Sequence, residues 1–255
     1  MQKKGIHMMK KISLRNDNSR DEDCVIDLNG DSSFAYKESY NILRTNVIFS
    51  LKSSQKSQKT IAISSAVPGE GKSSISSNLG ISLSKSNCKV IVIDADMRNP
   101  SQHKNFKVPN KQGLSDVIAG NVEFEKAVIK IDENLDLLTG GVIPPNPSEL
   151  LGSTHMDQLI KKLETIYDYI VIDTPPILLV TDALVLQNKC AGMILVVRIK
   201  KTYYKDVGKA LECLKKADFP VLGTVAVGVG EENSIYKRLG RKVNGRYEYN
   251  YGQKA

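Results

Sequence analysis

The stretch "TIAISSAVPGEGKSS", Thr60 to Ser74, constrains the fold more than any other part of this chain. An apolar run that reads as a strand leads into "AVPGEGKS", Ala66 to Ser73, and a helical pattern from Lys72 to Ser86 follows. The spacing is that of G-x-x-x-x-G-K-[ST], with Ala66 where the first glycine usually stands. Between a strand and a helix, such a loop turns its backbone N–H groups onto phosphate oxygens, and the helix N-terminus adds partial positive charge. Pro68, Gly69, Glu70, Gly71, Lys72, Ser73 and Ser74 are therefore the expected phosphate cradle. In it Lys72 reaches the outer phosphates of a nucleoside triphosphate, and the Ser73 hydroxyl faces Mg²⁺.

The same alternation continues downstream. Strands are expected at "TIAISSA", "KVIVIDAD", "LDLLTGG", "DYIVIDTP", "GMILVVR" and "VLGTVAVGV". Helices are expected at Lys72 to Ser86, "GLSDVIAG", "NPSELLG", Thr154 to Tyr167, Asp182 to Asn188 and Tyr203 to Ala217. Unbroken apolar runs such as "VIVI" suit strands covered on both faces, so the reading is an α/β P-loop NTPase fold with a mostly parallel sheet flanked by helices on both faces. Upstream, Tyr36, Tyr40, Leu43, Val47 and Leu51 recur at steps of three and four, which predicts a helix over 33–51. Residues 1–32 read as a flexible leader, 33–230 as the P-loop domain, and 231–255 as a polar, tyrosine-rich tail.

Composition closes other routes. The longest apolar runs, "CAGMILVV" and "YIVI", are far short of the roughly 18 residues that span a bilayer, and the basic start is not followed by an export core. The four cysteines are widely spaced and form no C-x-x-C pair, against a disulfide framework or a zinc site. The net charge of +8 includes basic clusters near the two ends, "MKK" and "YKRLGRK", which read as solvated tails without nucleic acid. The expected location is the cytoplasm.

Triphosphate chemistry also needs carboxylates, because Mg²⁺ takes oxygen ligands. "VIVIDADMR" ends in Asp94 and Asp96, whose i, i+2 spacing in extended chain points both to one face, and "YIVIDTPP" ends in Asp173. In open parallel sheets ligands gather at the carboxyl ends of strands, where these residues stand.

Taken together, "AVPGEGKSS", "VIVIDADMRNP" and "YIVIDTPP" resemble the Walker A, A′ and B segments of the bacterial protein-tyrosine kinases of capsule and exopolysaccharide synthesis. "GLSDVIAG", "PNPSELLGS" and "SYNILRTNVIFS" extend the likeness from about Glu38 to the C-terminus. The resemblance implies ATP and Mg²⁺, with Lys72, Asp94 and Asp96 catalytic and Ser73, Asp96 and Asp173 at the metal. Asp94 is favoured as the base that accepts the tyrosine proton. It also implies autophosphorylation of a C-terminal cluster, here Tyr236, Tyr247, Tyr249 and Tyr251; the direction of in-line approach and the charge that phosphate adds to the tail favour transfer between subunits of a homo-oligomer that dissociates once modified. A membrane-embedded adaptor that recruits the chain to the inner face of the membrane, and a cognate tyrosine phosphatase, are the implied partners. The family's E-x-x-R-x-x-R oligomerisation motif is present as "ESYNILR", with Glu38 and Arg44 in place but Asn41 at the middle position, so one contact of that motif is missing or replaced.

The main rival is a partition or septum-positioning ATPase of the same sheet. Those proteins usually carry a lysine immediately after the first residue of the loop, where this chain has Val67. A GTPase is disfavoured because "NKCA", Asn188 to Ala191, lacks the acidic residue of a guanine reader. A nucleotide-gated regulatory subunit would keep the loop but need no tyrosine acceptors.

Overall fold

A computed structural model describes residues 34–53 and 59–228, with the short strands Ile12–Leu14, Lys242–Val243 and Arg246–Tyr247. In chain order the elements are β1 (Ile12–Leu14), α1 (Phe34–Ser53), β2 (Thr60–Ser65), α2 (Lys72–Ser84), β3 (Val90–Asp94), α3 (Gln102–Asn105), α4 (Leu114–Ile118), α5 (Phe124–Ala127), β4 (Ile129–Asp132) and β5 (Leu135–Leu138). There follow α6 (Pro147–Gly152), α7 (Thr154–Ile166), β6 (Tyr169–Asp173), β7 (Gly192–Arg198), α8 (Tyr204–Lys216), β8 (Val221–Val227), β9 (Lys242–Val243) and β10 (Arg246–Tyr247). One sheet runs β1-β8-β7-β2-β6-β3-β5-β4, parallel throughout except at the β4–β5 edge. The doubly covered parallel sheet expected from the apolar runs is the observed architecture.

Period-two alternation distributes the core to two sides. Ile61, Ile63, Val90, Val92 and Val171 face the layer of α1 and α2, while Ala62, Ile91, Ile93, Ile170 and Ile172 face the opposite layer, which includes Met156, Leu159 and Leu163 of α7 and Leu214 of α8. The helix expected near the N-terminus buries Tyr40, Leu43, Val47 and Leu51 as its period requires. It is stitched to α2 by Asn78, whose side-chain amide donates to both the Tyr36 and Tyr40 hydroxyls at 3.1 Å.

α2 lies unusually close to β3. A Cβ built on Gly80 would stand 2.4 Å from Val92 Cγ2. Alanine ordinarily improves a helix interior by about 0.5–1 kcal/mol over glycine, but here the clash dominates. Gly80→Ala should destabilise the protein by roughly 1–3 kcal/mol, and a denaturant midpoint equal to or above that of the parent would refute this packing argument.

Several elements differ from expectation. Residues 182–188 do not form an α-helix; only a 3₁₀ turn at Leu184–Leu186 appears, between Asp182, tied to Arg98, and Lys189, whose ammonium lies 2.5 Å from Asp157 of α7. That last contact turns the "NKCA" segment toward α7. Within the stretch read as a leader, Ile12–Leu14 pair in parallel with Val225–Val227 and extend the sheet edge. Within the tail, β9 and β10 form an antiparallel pair in which Tyr247 is opposite Lys242, whereas Tyr236, Tyr249 and Tyr251 lie outside the described residues.

Candidate active site

β2, β6 and β3 are adjacent, and their register sets Ile63 opposite Asp173 and Asp173 opposite Asp94. The loop after β2 therefore comes down beside two carboxylates at the same level of the sheet. Gly69 and Gly71 both have positive φ, 71° and 91°, a conformation that L side chains rarely adopt. Gly71 is also the residue on which α2 begins, and its carbonyl accepts the Ile75 N–H at 3.0 Å. The turn of the loop thus delivers Lys72, Ser73 and Ser74 on the first turn of a helix whose free N–H groups point into the site.

Lys72 is the centre of charge. Its ammonium is 2.8 Å from Asp96 Oδ2 and 3.8 Å from Asp173 Oδ1, and it donates to Ser73 Oγ at 3.2 Å. Burial alone would lower its proton affinity, but Asp173 and Asp96 outweigh burial and hold it above the ordinary lysine value. Asp173 is fully buried and also accepts from Ser76 Oγ at 3.3 Å and from Gln102 Nε2 at 2.8 Å.

The two aspartates of the A′ segment are not presented to one face, as their spacing suggested. β3 ends at Asp94, and the chain turns there. Asp94 faces backbone: its Oδ2 accepts the N–H groups of Ser101 (2.8 Å) and Gln102 (2.9 Å), and its Oδ1 accepts that of Asp96 (3.2 Å). Asp96 instead meets Lys72 with Oδ2 and accepts the Asn99 N–H on Oδ1 at 3.2 Å. Burial, with the Asp173 charge beside it, pushes the Asp94 carboxyl up to about 7 against the pull of its backbone donors.

That shift has a measurable consequence in the ligand-free protein. The unfolded chain releases the Asp94 proton near 3.8, whereas the folded chain holds it to about 7. The folded state therefore binds more protons across this window, so the Asp94 contribution to stability is present below about pH 4 and lost as the pH rises to about 7. Melting curves across that range in a chelating buffer should show the parent losing stability relative to Asp94→Asn as pH rises; a constant difference would contradict the assignment.

Gln102 was not singled out by any sequence signal. It is fully buried at the start of α3, where its amide donates to Ser73 O (3.0 Å) as well as Asp173, while its oxygen accepts from Ser77 Oγ at 2.6 Å. One side chain thereby joins the A, A′ and B segments. Glu70 is a second brace: fully buried, it accepts the Val67 N–H at 3.0 Å within the loop and the Thr202 hydroxyl from the β7–α8 connection. Arg198 at the end of β7 and Lys201 from that connection donate to Gly69 O at 3.3 and 3.1 Å.

The A′ arginine does not enter the site. Arg98 makes a two-pronged pair with fully buried Asp182, at 2.8 and 3.1 Å, which also accepts from Ser148.

The donor set fits a magnesium-bound triphosphate. Mg²⁺ commonly takes one or two carboxylates and completes its shell with phosphate and water. Asp96, Asp173 and the Ser73 hydroxyl meet around one ammonium, and among the described residues no cluster of three or more His, Cys, Asp or Glu side chains forms a metal cage of its own.

Of the expected oligomerisation residues, Glu38 accepts from Asn41 Nδ2 at 3.2 Å, and Arg44 donates to Ser82 O at 2.8 Å on α2. Both are engaged within the chain. The outward face of α1 carries Ile42 and Phe49, seven residues apart and exposed.

Residues 58–217 match the family model described as an AAA domain. The chain is 40% identical over 209 residues to the tyrosine-protein kinase YwqD of Bacillus subtilis, covering 81% of this chain and 87% of that protein. Among solved structures it is similar to the chimerical protein CapA2B2, with a TM-score of 0.77 at 30% identity, covering 86% of this chain and 93% of the other. The similarity to the septum site-determining protein MinD of Pyrococcus horikoshii, solved with Mg-ADP, is lower: TM-score 0.56 and 27% identity over 66% of this chain and 69% of that one.

Proposed function

This chain belongs to the bacterial tyrosine-protein kinases, and from that premise we propose that it transfers the γ-phosphate of ATP to the tail tyrosines Tyr236, Tyr247, Tyr249 and Tyr251 of a neighbouring copy, and so regulates synthesis and export of a capsular or extracellular polysaccharide. The carrying observation is the position of Lys72 at the head of α2 between Asp96 and Asp173, with Asp94 opposite Asp173 in the sheet register.

Lys72 turns from the carboxylates to the outer phosphates and steadies the charge that shifts to them during transfer. When bound, Mg²⁺ neutralises phosphate charge, and Asp96, Asp173 and Ser73 are the residues that hold it. Asp94 accepts the phenolic proton through Oδ1, which carries one long hydrogen bond where Oδ2 carries two. A proton affinity near neutrality suits a general base. Gln102 keeps Asp173 aimed at the loop.

Assembly uses the exposed Ile42–Phe49 face of α1 alongside Glu38 and Arg44, and phosphate on the tail loosens the oligomer by repulsion from the carboxylate-lined site. Among the described residues no helix is long and apolar enough to cross a membrane, and a membrane-embedded adaptor supplies recruitment and activation in this reading. A cognate phosphatase resets the tail. The rival septum-type function is disfavoured by the lower similarity and by Val67 in place of its second lysine.

The test mixes Lys72→Met protein, which keeps its tyrosines, with active protein whose four tail tyrosines are Phe. Phosphotyrosine should accumulate on the Lys72→Met chain, read by mass, and light scattering should show the assemblies shrinking. An unlabelled Lys72→Met chain in mixtures that co-assemble would mean that transfer stays within one chain.

A further inference from the structure

Tyr203 and Tyr204 open α8 with their rings in solvent, 70% and 92% exposed. The other tyrosines with described side chains are poorly placed to accept a phosphate. Tyr40 is buried, Tyr36 and Tyr169 are half-buried, and Tyr167 donates to Asp136 Oδ2 at 2.6 Å, with burial and that carboxylate pushing its phenol well above the usual range. Around the exposed pair the chain reads "RIKKTYYKD", and Lys200, Lys201 and Lys205 are all exposed, with Lys205 Nζ 5.6 Å from the centre of the Tyr203 ring. This is also the connection that braces the phosphate-binding loop: the neighbouring Thr202 donates to Glu70, and Arg198 and Lys201 donate to Gly69 O.

We propose that Tyr203 and Tyr204 form a second phosphoacceptor site of this kinase, modified by another copy of the chain, and that phosphate there weakens the loop's hold on ATP. The proposal rests on the kinase reading above. The phenolic oxygen of Tyr203 or Tyr204 bonds to the γ-phosphorus of ATP, the bond from that phosphorus to the β–γ bridging oxygen breaks, the phenolic proton passes to Asp94 of the acting copy, and ADP leaves. Transfer within one copy is disfavoured because Thr202 and Lys201 fasten the segment to the Gly69–Glu70 side of the loop, away from Lys72.

The consequence follows from charge. A phosphotyrosine adds about −1.5 to −2 at neutral pH, and at the start of a 13-residue helix flanked by lysines that charge is well accommodated. It competes with Gly69 O for Lys201 and Arg198, so the loop loses two donors on its outer side. The added negative charge also opposes binding of the anionic nucleotide by that loop. Both effects lower nucleotide affinity, by roughly three- to tenfold.

The experiment incubates the full chain with Mg-ATP, maps phosphotyrosine by mass spectrometry, and measures Mg-ADP affinity before and after. Phosphate is expected on Tyr203 or Tyr204, also in a variant whose four tail tyrosines are Phe, and on Tyr203 or Tyr204 of a Lys72→Met chain mixed with that variant. Affinity should fall three- to tenfold in that tail variant but stay constant when Tyr203→Phe and Tyr204→Phe are added. Labelled tail with unmodified Tyr203 and Tyr204 overturns this proposal and leaves the kinase reading standing. No phosphotyrosine anywhere overturns both. A Lys72→Met chain whose Tyr203 and Tyr204 stay unmodified when mixed and co-assembled with the active tail variant refutes transfer between copies, and modification with unchanged affinity refutes the regulatory role.

Discussion

Lys72→Met is expected to reduce tyrosine phosphorylation by roughly 10³-fold or more, since one lost donor to developing charge already costs about 10²–10³ in other enzymes and this one also neutralises the phosphates. Met keeps the length and packing of the side chain, so the fold survives. What the structure adds is the effect on the carboxylates, because Asp96 and Asp173 lose the ammonium that lies between them. Without it, repulsion raises the proton affinity of Asp173 and Asp94 further, and Asp94, already at about 7, retains its proton to higher pH. The variant should therefore melt below the parent at pH 8 and approach it at pH 6. Retention of a tenth or more of the activity would show that the ammonium is dispensable and that the loop assignment is wrong.

The second large effect separates two aspartates. Asp173→Asn should weaken Mg-nucleotide binding along with transfer, because it removes a full charge from the place where Ser76, Gln102 and Lys72 converge. Asp94→Asn should still bind Mg-nucleotide yet transfer at least about 10²-fold more slowly, the usual worth of a positioned proton acceptor. Its structural cost is separable. An asparagine oxygen turned toward Ser101 and Gln102 keeps those bonds, but its NH₂ then faces the Asp96 N–H, donor against donor, at about 1–3 kcal/mol. Calorimetry and melting on the same preparations distinguish lost chemistry from lost stability. Undiminished affinity in both variants would put the metal elsewhere.

Much of the architecture was legible because it is repetitive. Six strands announced themselves as apolar runs, and α1, α2, α7 and α8 as long periodic segments. The elements that went unread are short: β1 has three residues and β9 and β10 two each, α3 and α5 have four each, too few to display a helical period, and β4 alternates half-buried and exposed residues over only "IKID". The reading of residues 182–188 as a helix failed for a different reason. Its apolar spacing is genuine, but Asp182 is committed to Arg98 and Lys189 to Asp157. Contacts remote in sequence overrode local preference.

The site divides in the same way. The candidate groups follow from residue type in local context: a glycine-flanked lysine between strand and helix, and aspartates at or just beyond a strand end, can be found with no knowledge of their neighbours. The pairing of Asp94 and Asp96 with different partners cannot, since spacing alone gave both the same direction. It is decided where β3 stops, which leaves Asp94 facing the N–H groups that open α3 and Asp96 facing Lys72. Gln102 and Glu70 likewise have no local signature, because each acts by joining segments distant in the chain. Local composition determined which polar groups exist at the mouth of the sheet; strand register and the need to satisfy every buried donor and acceptor decided which of them meet.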